Sequence, residues 1–206
     1  MTKAPTRVSH SNSGNSDSEK NKLDTLYKKW NSIKRLANSN KSGKDVIGSF
    51  TFEDVITEED AARKIFDNFL NRLKYRNNNM LKYIWAMERH KYNFDDDLPG
   101  IHFHSLFFEW PDIKETELRD IWGHGTIYLS DTSKIINLGV HFANYVTKVI
   151  ENQISGRSWA GSQNLRKPEK VLNEEYSYIP KEDILFSSRP RHNDYYGEIQ
   201  CLYVKS

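Results

Sequence analysis

The stretch "GIHFHSLFF", residues 100–108, sets two histidines one residue apart inside a run of bulky apolar side chains. Successive side chains of a β-strand point to opposite faces, so His102 and His104 would share one face while Ile101, Phe103, Ser105 and Phe107 share the other. Two imidazoles on one face make a candidate cation site. Two nitrogen ligands and one carboxylate, with open positions beside them, suit a divalent ion that must also bind a substrate oxygen. Glu88, in "MLKYIWAMERH", supplies the carboxylate if this segment is the antiparallel neighbour of "IHFHSLFF" across the loop "KYNFDDDLPG". The end of the first strand then lies opposite the start of the second. A competing reading packs the histidines in the sheet and pairs Glu88 with Arg89 or Lys91. His90, in phase with Glu88, is a further ligand or a supporting group.

A second set of reactive types lies in "GVHFANYVTKVIEN". On a helix His141, Tyr145 and Lys148 stand at i, i+4 and i+7 on one face, while Val140, Phe142, Ala143, Val146, Val149 and Ile150 can meet a core. A free phenol titrates near about 10, so attack on phosphorus needs a positive charge or a base beside it, and a metal ion can polarise the phosphate. The alternative is an amphipathic helix with a half-buried tyrosine and a surface lysine.

These groups must be held by the surrounding elements. Residues 1–20 are rich in Ser, Asn, Thr and Lys, bury too little apolar surface to offset their ordering entropy, and read as a disordered tail. Residues 21–40 follow as an amphipathic helix and linker, with Leu23, Leu26, Tyr27, Trp30, Ile33 and Leu36 at spacings of three and four. The remainder, residues 45–206, reads as one domain. "VIGSFTFED" is a strand bounded by turn residues. Thr57 in "TEED" offers a cap with capping-box spacing to a helix that runs to about Tyr75 and stops at "RNNN". The two site strands form a hairpin. A short helix near "KETELRDIW", a strand in "GTIYLSD", the tyrosine helix from about residue 139 to 152 and one or two strands in the tail complete the order, with Trp110 and Trp122 in the core. Strand, helix, hairpin, helix, strand, helix implies an α+β fold, a central antiparallel sheet of ferredoxin-like character flanked by helices.

Composition narrows the rest. A formal charge of +2 with 28% charged residues permits a nucleic-acid partner without demanding one. The single cysteine, Cys201, leaves His, Asp and Glu as candidate ligands and favours a reducing compartment, the cytoplasm. No apolar run approaches the roughly 20 residues of a membrane span, and the first residues carry no apolar signal core. No internal repeat and no G-x-x-x-x-G-K-[ST] loop is present, which excludes an ATP motor of that type.

In order along the chain, "SFTFED", the helix ending "FLNRLKY", "YIWAMERH", "IHFHSLFF" and "NYVTKVI" resemble the motifs of the HUH endonucleases, most closely the rolling-circle replication initiators of bacterial plasmids and phages. The resemblance spans about residues 46–170, including "SWAGSQNLRKPE". It implies that Glu88, His102 and His104 bind Mg2+ or Mn2+, that Tyr145 is the nucleophile and that Lys148 is the lysine of its motif. Such enzymes nick single-stranded or hairpin origin DNA, forming a 5′-phosphotyrosine link and a free 3′-OH, and later rejoin strands without ATP. With no second tyrosine one turn from Tyr145, a second subunit in a homodimer, or water, would finish a round. The viral relatives' helicase and zinc-finger domains have no counterpart here, so a host helicase and polymerase would do the unwinding and synthesis in a bacterial cytoplasm. Arg157, Trp159, Arg166 and Lys167 are candidate contacts to a DNA backbone and an unstacked base, or else a solvated linker. Rival uses are a transposase or mobilisation relaxase of the same superfamily, or a non-catalytic DNA-binding repressor.

Overall fold

In β3, Ile101–Phe108, side chains alternate between two covered faces, and every residue of the strand except the half-buried His102 is buried. β1, Val46–Thr51, and β2, Lys82–Arg89, flank it, both antiparallel to it. β4, Ile127–Asp131, pairs with β1, and β5, Trp159–Gly161, pairs with β2, giving a five-stranded sheet in the order β4-β1-β3-β2-β5. Helix α2, Glu59–Arg76, links β1 to β2, and α3, Glu115–Trp122, links β3 to β4. These two split β-α-β units make the fold α+β and ferredoxin-like. The computed structural model describes residues 13–90, 99–147, 154, 156–168, 184–187, 191–193, 197–199 and 202–204.

α2 and α3 cover one face of the sheet with an aromatic core that includes Phe50, Phe66, Phe69, Trp85, Phe103, Phe107 and Trp122. Phe66 lies flat on Phe103, centroids 4.1 Å apart and planes 2° from parallel. Trp122 is fully buried and its indole N–H donates to the Thr51 carbonyl at 3.3 Å, while Trp110 packs on the edge of the same cluster. Both tryptophans are core, as their sequence context suggests.

The other face is covered by α1, Ser13–Asn40, and α4, Leu138–Thr147, over Ile47, Ile84, Ala86, Leu106 and Phe108. Helix α1 starts at Ser13 rather than Asn21, so residues 13–20 of the expected disordered tail are helical. Extending a helix already nucleated by its packed C-terminal half costs far less than starting one. The two helices touch closely at Gly139, where a Cβ would stand 2.4 Å from the Lys34 carbonyl oxygen. The Asn38 Oδ1 accepts from the Gly139 N–H at 3.0 Å, and the Trp30 indole N–H donates to Asn144 Oδ1 at 3.0 Å. Asn40 closes the far end with a pair of hydrogen bonds to the Arg166 backbone, at 2.8 and 2.9 Å.

The capping box expected at Thr57 does not form. Glu58 occupies the cap position and no side chain caps the helix. Arg89 takes the groups a box would need: its guanidinium donates to the Thr57 carbonyl at 2.9 Å and pairs with Glu59 at 3.1 Å. The stop at "RNNN" is as expected, with Asn78 and Asn79 in left-handed conformations (φ 48° and 62°) that asparagine tolerates well.

The chain divides into two compact units, Met1–Pro168 and Glu169–Ser206, and α1 belongs to the first. In the second, β6, Ile184–Ser187, pairs with β9, Leu202–Val204, and β7, Arg191–Asn193, pairs with β8, Gly197–Ile199. Four short strands thus stand where the sequence suggests one or two.

Because a backbone carbonyl faces Gly139, the substitution Gly139→Ala forces α1 and α4 apart. The expected cost is about 1–3 kcal/mol of stability, measured by urea unfolding.

Candidate metal and tyrosine site

The register of β2 on β3 sets Glu88 opposite His102 and Ala86 opposite His104. All three reactive side chains lie on the α1–α4 face of the sheet. The Nε2 atoms of His102 and His104 are 3.0 Å apart. Glu88 Oε2 lies 3.1 Å from His104 Nε2 and 3.4 Å from His102 Nε2. Glu88 is 6% exposed and His104 8%. Two imidazole nitrogens and a carboxylate oxygen converging away from bulk water form a group that could hold a metal ion. The spacing fits: donors at right angles around an ion, each about 2.1 Å from it, stand about 3 Å apart.

Supporting contacts fix these rings. Ser49, opposite His104 in the β1–β3 register, lies with its Oγ 3.0 Å from His104 Nδ1. When Nδ1–H donates to that hydroxyl, Nε2 carries the lone pair that faces a cation. His90 stacks on His102 with centroids 4.3 Å apart and stands outside the converging group, as a neighbour rather than a ligand. Burial and the positive charge of His102 hold the His90 imidazole below its ordinary range. The expected alternative pairing of Glu88 with Arg89 does not occur, because Arg89 points to the opposite face and meets Glu59. Burial alone would raise the Glu88 carboxyl. Hydrogen bonds from His102 and His104 and their charges outweigh it, lowering the group from an ordinary 4.5 to about 2.

Tyr145 reaches this site from α4. Its ring stacks on His104, centroids 4.4 Å apart and planes 29° from parallel. Phe142 and Ala143, buried against the sheet, fix the rotation of the helix that brings it there. His141, one turn earlier and exposed, places its Nε2 3.4 Å from the Tyr145 hydroxyl. Lys148 lies outside the described residues.

A family model for the replication-associated protein ORF2 matches residues 45–150, just over half of the chain. The chain belongs to this replication-associated family. That agrees with the resemblance to rolling-circle initiators carried by its motifs. No curated protein and no solved structure matches it significantly. The family match takes in Glu88, His102, His104, Tyr145 and Lys148 but stops short of α1 and β5.

Outside the matched segment, Arg157, Arg166 and Lys167 are exposed, and Trp159 is half-buried against the α1–α4 core. Arg157 sits over the Trp85 ring, 5.8 Å from its centroid, on the far side of β2 from Glu88. Among the described residues, no helix is long and apolar enough to cross a membrane. Two groups at the site have no clear signal in the sequence. A lone serine in a strand signals nothing until its register is known, so Ser49 cannot be picked out, and His141 shares the tyrosine's face without a contact to give it a role.

The lowered Glu88 carboxyl has a direct consequence for stability. Between pH about 2 and 4.5 the unfolded chain binds the proton more tightly than the folded one, so this contribution is whole above about 4.5 and disappears as pH falls toward 2. Acid unfolding of Glu88→Gln is therefore expected to vary less steeply with pH in that window than wild type. Removing the hydroxyl that orients His104, in Ser49→Ala, is expected to weaken Mn2+ binding about 10-fold to 100-fold in a calorimetric titration.

Proposed function

We propose that the chain initiates rolling-circle replication by nicking single-stranded or hairpin origin DNA through Tyr145. The observation that carries this reading is the tyrosine ring lying on the imidazole of His104, itself part of the Glu88, His102 and His104 group. In the reaction, Glu88, His102 and His104 would hold Mg2+ or Mn2+, which supplies a positive centre for the scissile phosphate's oxygens. Tyr145 is placed beside that phosphate by α4, and Lys148, from the same motif, contributes a cation to the phosphodiester or the developing phenolate. The phenol oxygen attacks phosphorus, the bond to O3′ breaks, and a 5′-phosphotyrosine link and a 3′-OH result. Holding the ring against His104 removes most of the freedom that a long side chain would otherwise lose on reaching the transition state.

The link keeps the phosphodiester's energy in a covalent bond, so the 3′-OH can later attack it and rejoin the strand without ATP. The 3′-OH meanwhile primes synthesis by a host polymerase, with unwinding by a host helicase, in a bacterial cytoplasm. Arg157, Arg166 and Lys167 would bind DNA phosphates next to the site, with Trp159 a stacking surface where its exposed edge allows. A second subunit, as in a homodimer, would supply the nucleophile that ends a round.

The test is incubation of the purified chain with a pool of labelled single-stranded DNA and Mn2+, followed by a denaturing gel and peptide mapping. A DNA adduct on the Tyr145 peptide is expected, lost with EDTA, with Tyr145→Phe and with the double variant His102→Ala, His104→Ala. Tyr145→Phe should retain DNA binding. Binding without any adduct would instead make the chain a non-catalytic DNA-binding module.

A further inference from the structure

Taking Tyr145 as the nucleophile, its phenolic proton must leave as the oxygen attacks, and the free phenol holds that proton tightly. We propose that His141 is the base that accepts it. Its Nε2 lies 3.4 Å from the Tyr145 hydroxyl, one turn away on the same face of α4. The rings meet edge to face, centroids 5.4 Å apart and planes at 78°.

Ring orientation separates His141 from the other imidazole on Tyr145. A base must offer a lone pair, and the nitrogen lone pairs of imidazole lie in the plane of the ring. His104 is nearly parallel to Tyr145, so it presents its π-face. Its in-plane nitrogens are committed, Nδ1 to Ser49 and Nε2 toward Glu88 and His102. The perpendicular His141 brings a ring nitrogen to the hydroxyl itself. A separation of 3.4 Å is long for a formed hydrogen bond, as is common before substrate tightens a catalytic contact. His141 is also exposed, so its conjugate acid can discharge to water.

In the step, the phenol oxygen donates an electron pair to phosphorus while its proton passes to His141 Nε2. The bond to O3′ breaks with its electrons on O3′, which takes a proton from water. The imidazolium returns a proton to the solvent, and charge and atoms balance. During rejoining the 3′-OH attacks, the phenol oxygen leaves, and the imidazolium protonates it. One residue therefore serves as base for cleavage and as acid for closure.

The experiment measures single-turnover adduct formation in Mn2+ on an oligonucleotide that the wild-type chain cleaves, comparing His141→Ala, His141→Gln and Tyr145→Phe. His141→Gln retains a polar group but cannot take up a proton. Both histidine variants should lose about 10²-fold to 10⁴-fold in rate with DNA affinity and circular dichroism unchanged. Added imidazole should restore part of the rate to His141→Ala and none to His141→Gln. Near-wild-type cleavage by His141→Gln, or no rescue of His141→Ala by imidazole, overturns the assignment of His141 alone. An adduct that persists in Tyr145→Phe overturns the nucleophile, and this assignment with it.

Discussion

The flat contact between Phe103 and Phe66 decides where both site histidines point. Phe103 is fully buried among aromatic rings on the α2–α3 face, and its two chain neighbours are His102 and His104. Burying a phenylalanine side chain is worth about 1.5–3 kcal/mol, with about 0.5–1.5 more from favourable ring geometry. A slip of one residue in β3 would forfeit that and drive two imidazoles into an apolar core. The aromatic face thus enforces the polar one. β3 pairs with β1 on one side and β2 on the other, so the same contact also sets Ser49 beside His104 and Glu88 beside His102.

Adjacent positions on β2 show the same division for charge. Glu88 and Arg89 are both buried, on opposite faces. Arg89 meets Glu59 and the backbone at the start of α2, while Glu88 meets the imidazoles of His102 and His104. A buried carboxylate without a partner is costly. Pairing it with histidines, which can give up their protons, leaves its charge available to a cation in a way that a buried arginine beside it would not.

Much of this is legible in the sequence because strands and helices have fixed periods. Period two puts His102 and His104 on one face, and the hairpin puts Glu88 across from them; the helical period puts Tyr145 and His141 together. Those inferences need only which residues are neighbours along an element or across one short loop. What the sequence hides depends on tertiary choice. Thr57 has the pattern of a cap, but Arg89, distant in sequence, takes its carbonyl. Ser49 acquires its contact through a β1–β3 pairing that joins residues 55 positions apart. The tight approach of α1 to α4 is equally invisible, since a glycine near a helix start has many causes.

Helix α1 lies outside the segment that carries the family likeness, yet it forms part of the wall behind α4. Ile33 and Ala37 are fully buried in the cluster that holds Phe142 and Ala143, and Trp30 and Asn38 bond directly to α4. The borders of sequence likeness are therefore not borders of structural self-sufficiency. A fragment trimmed to residues 45–150 would keep every metal-facing and tyrosine-bearing position while exposing apolar surface on the helix that aims the tyrosine. Evolution can accordingly alter how that helix is held by changing residues far upstream of any recognisable motif, without touching the chemistry itself.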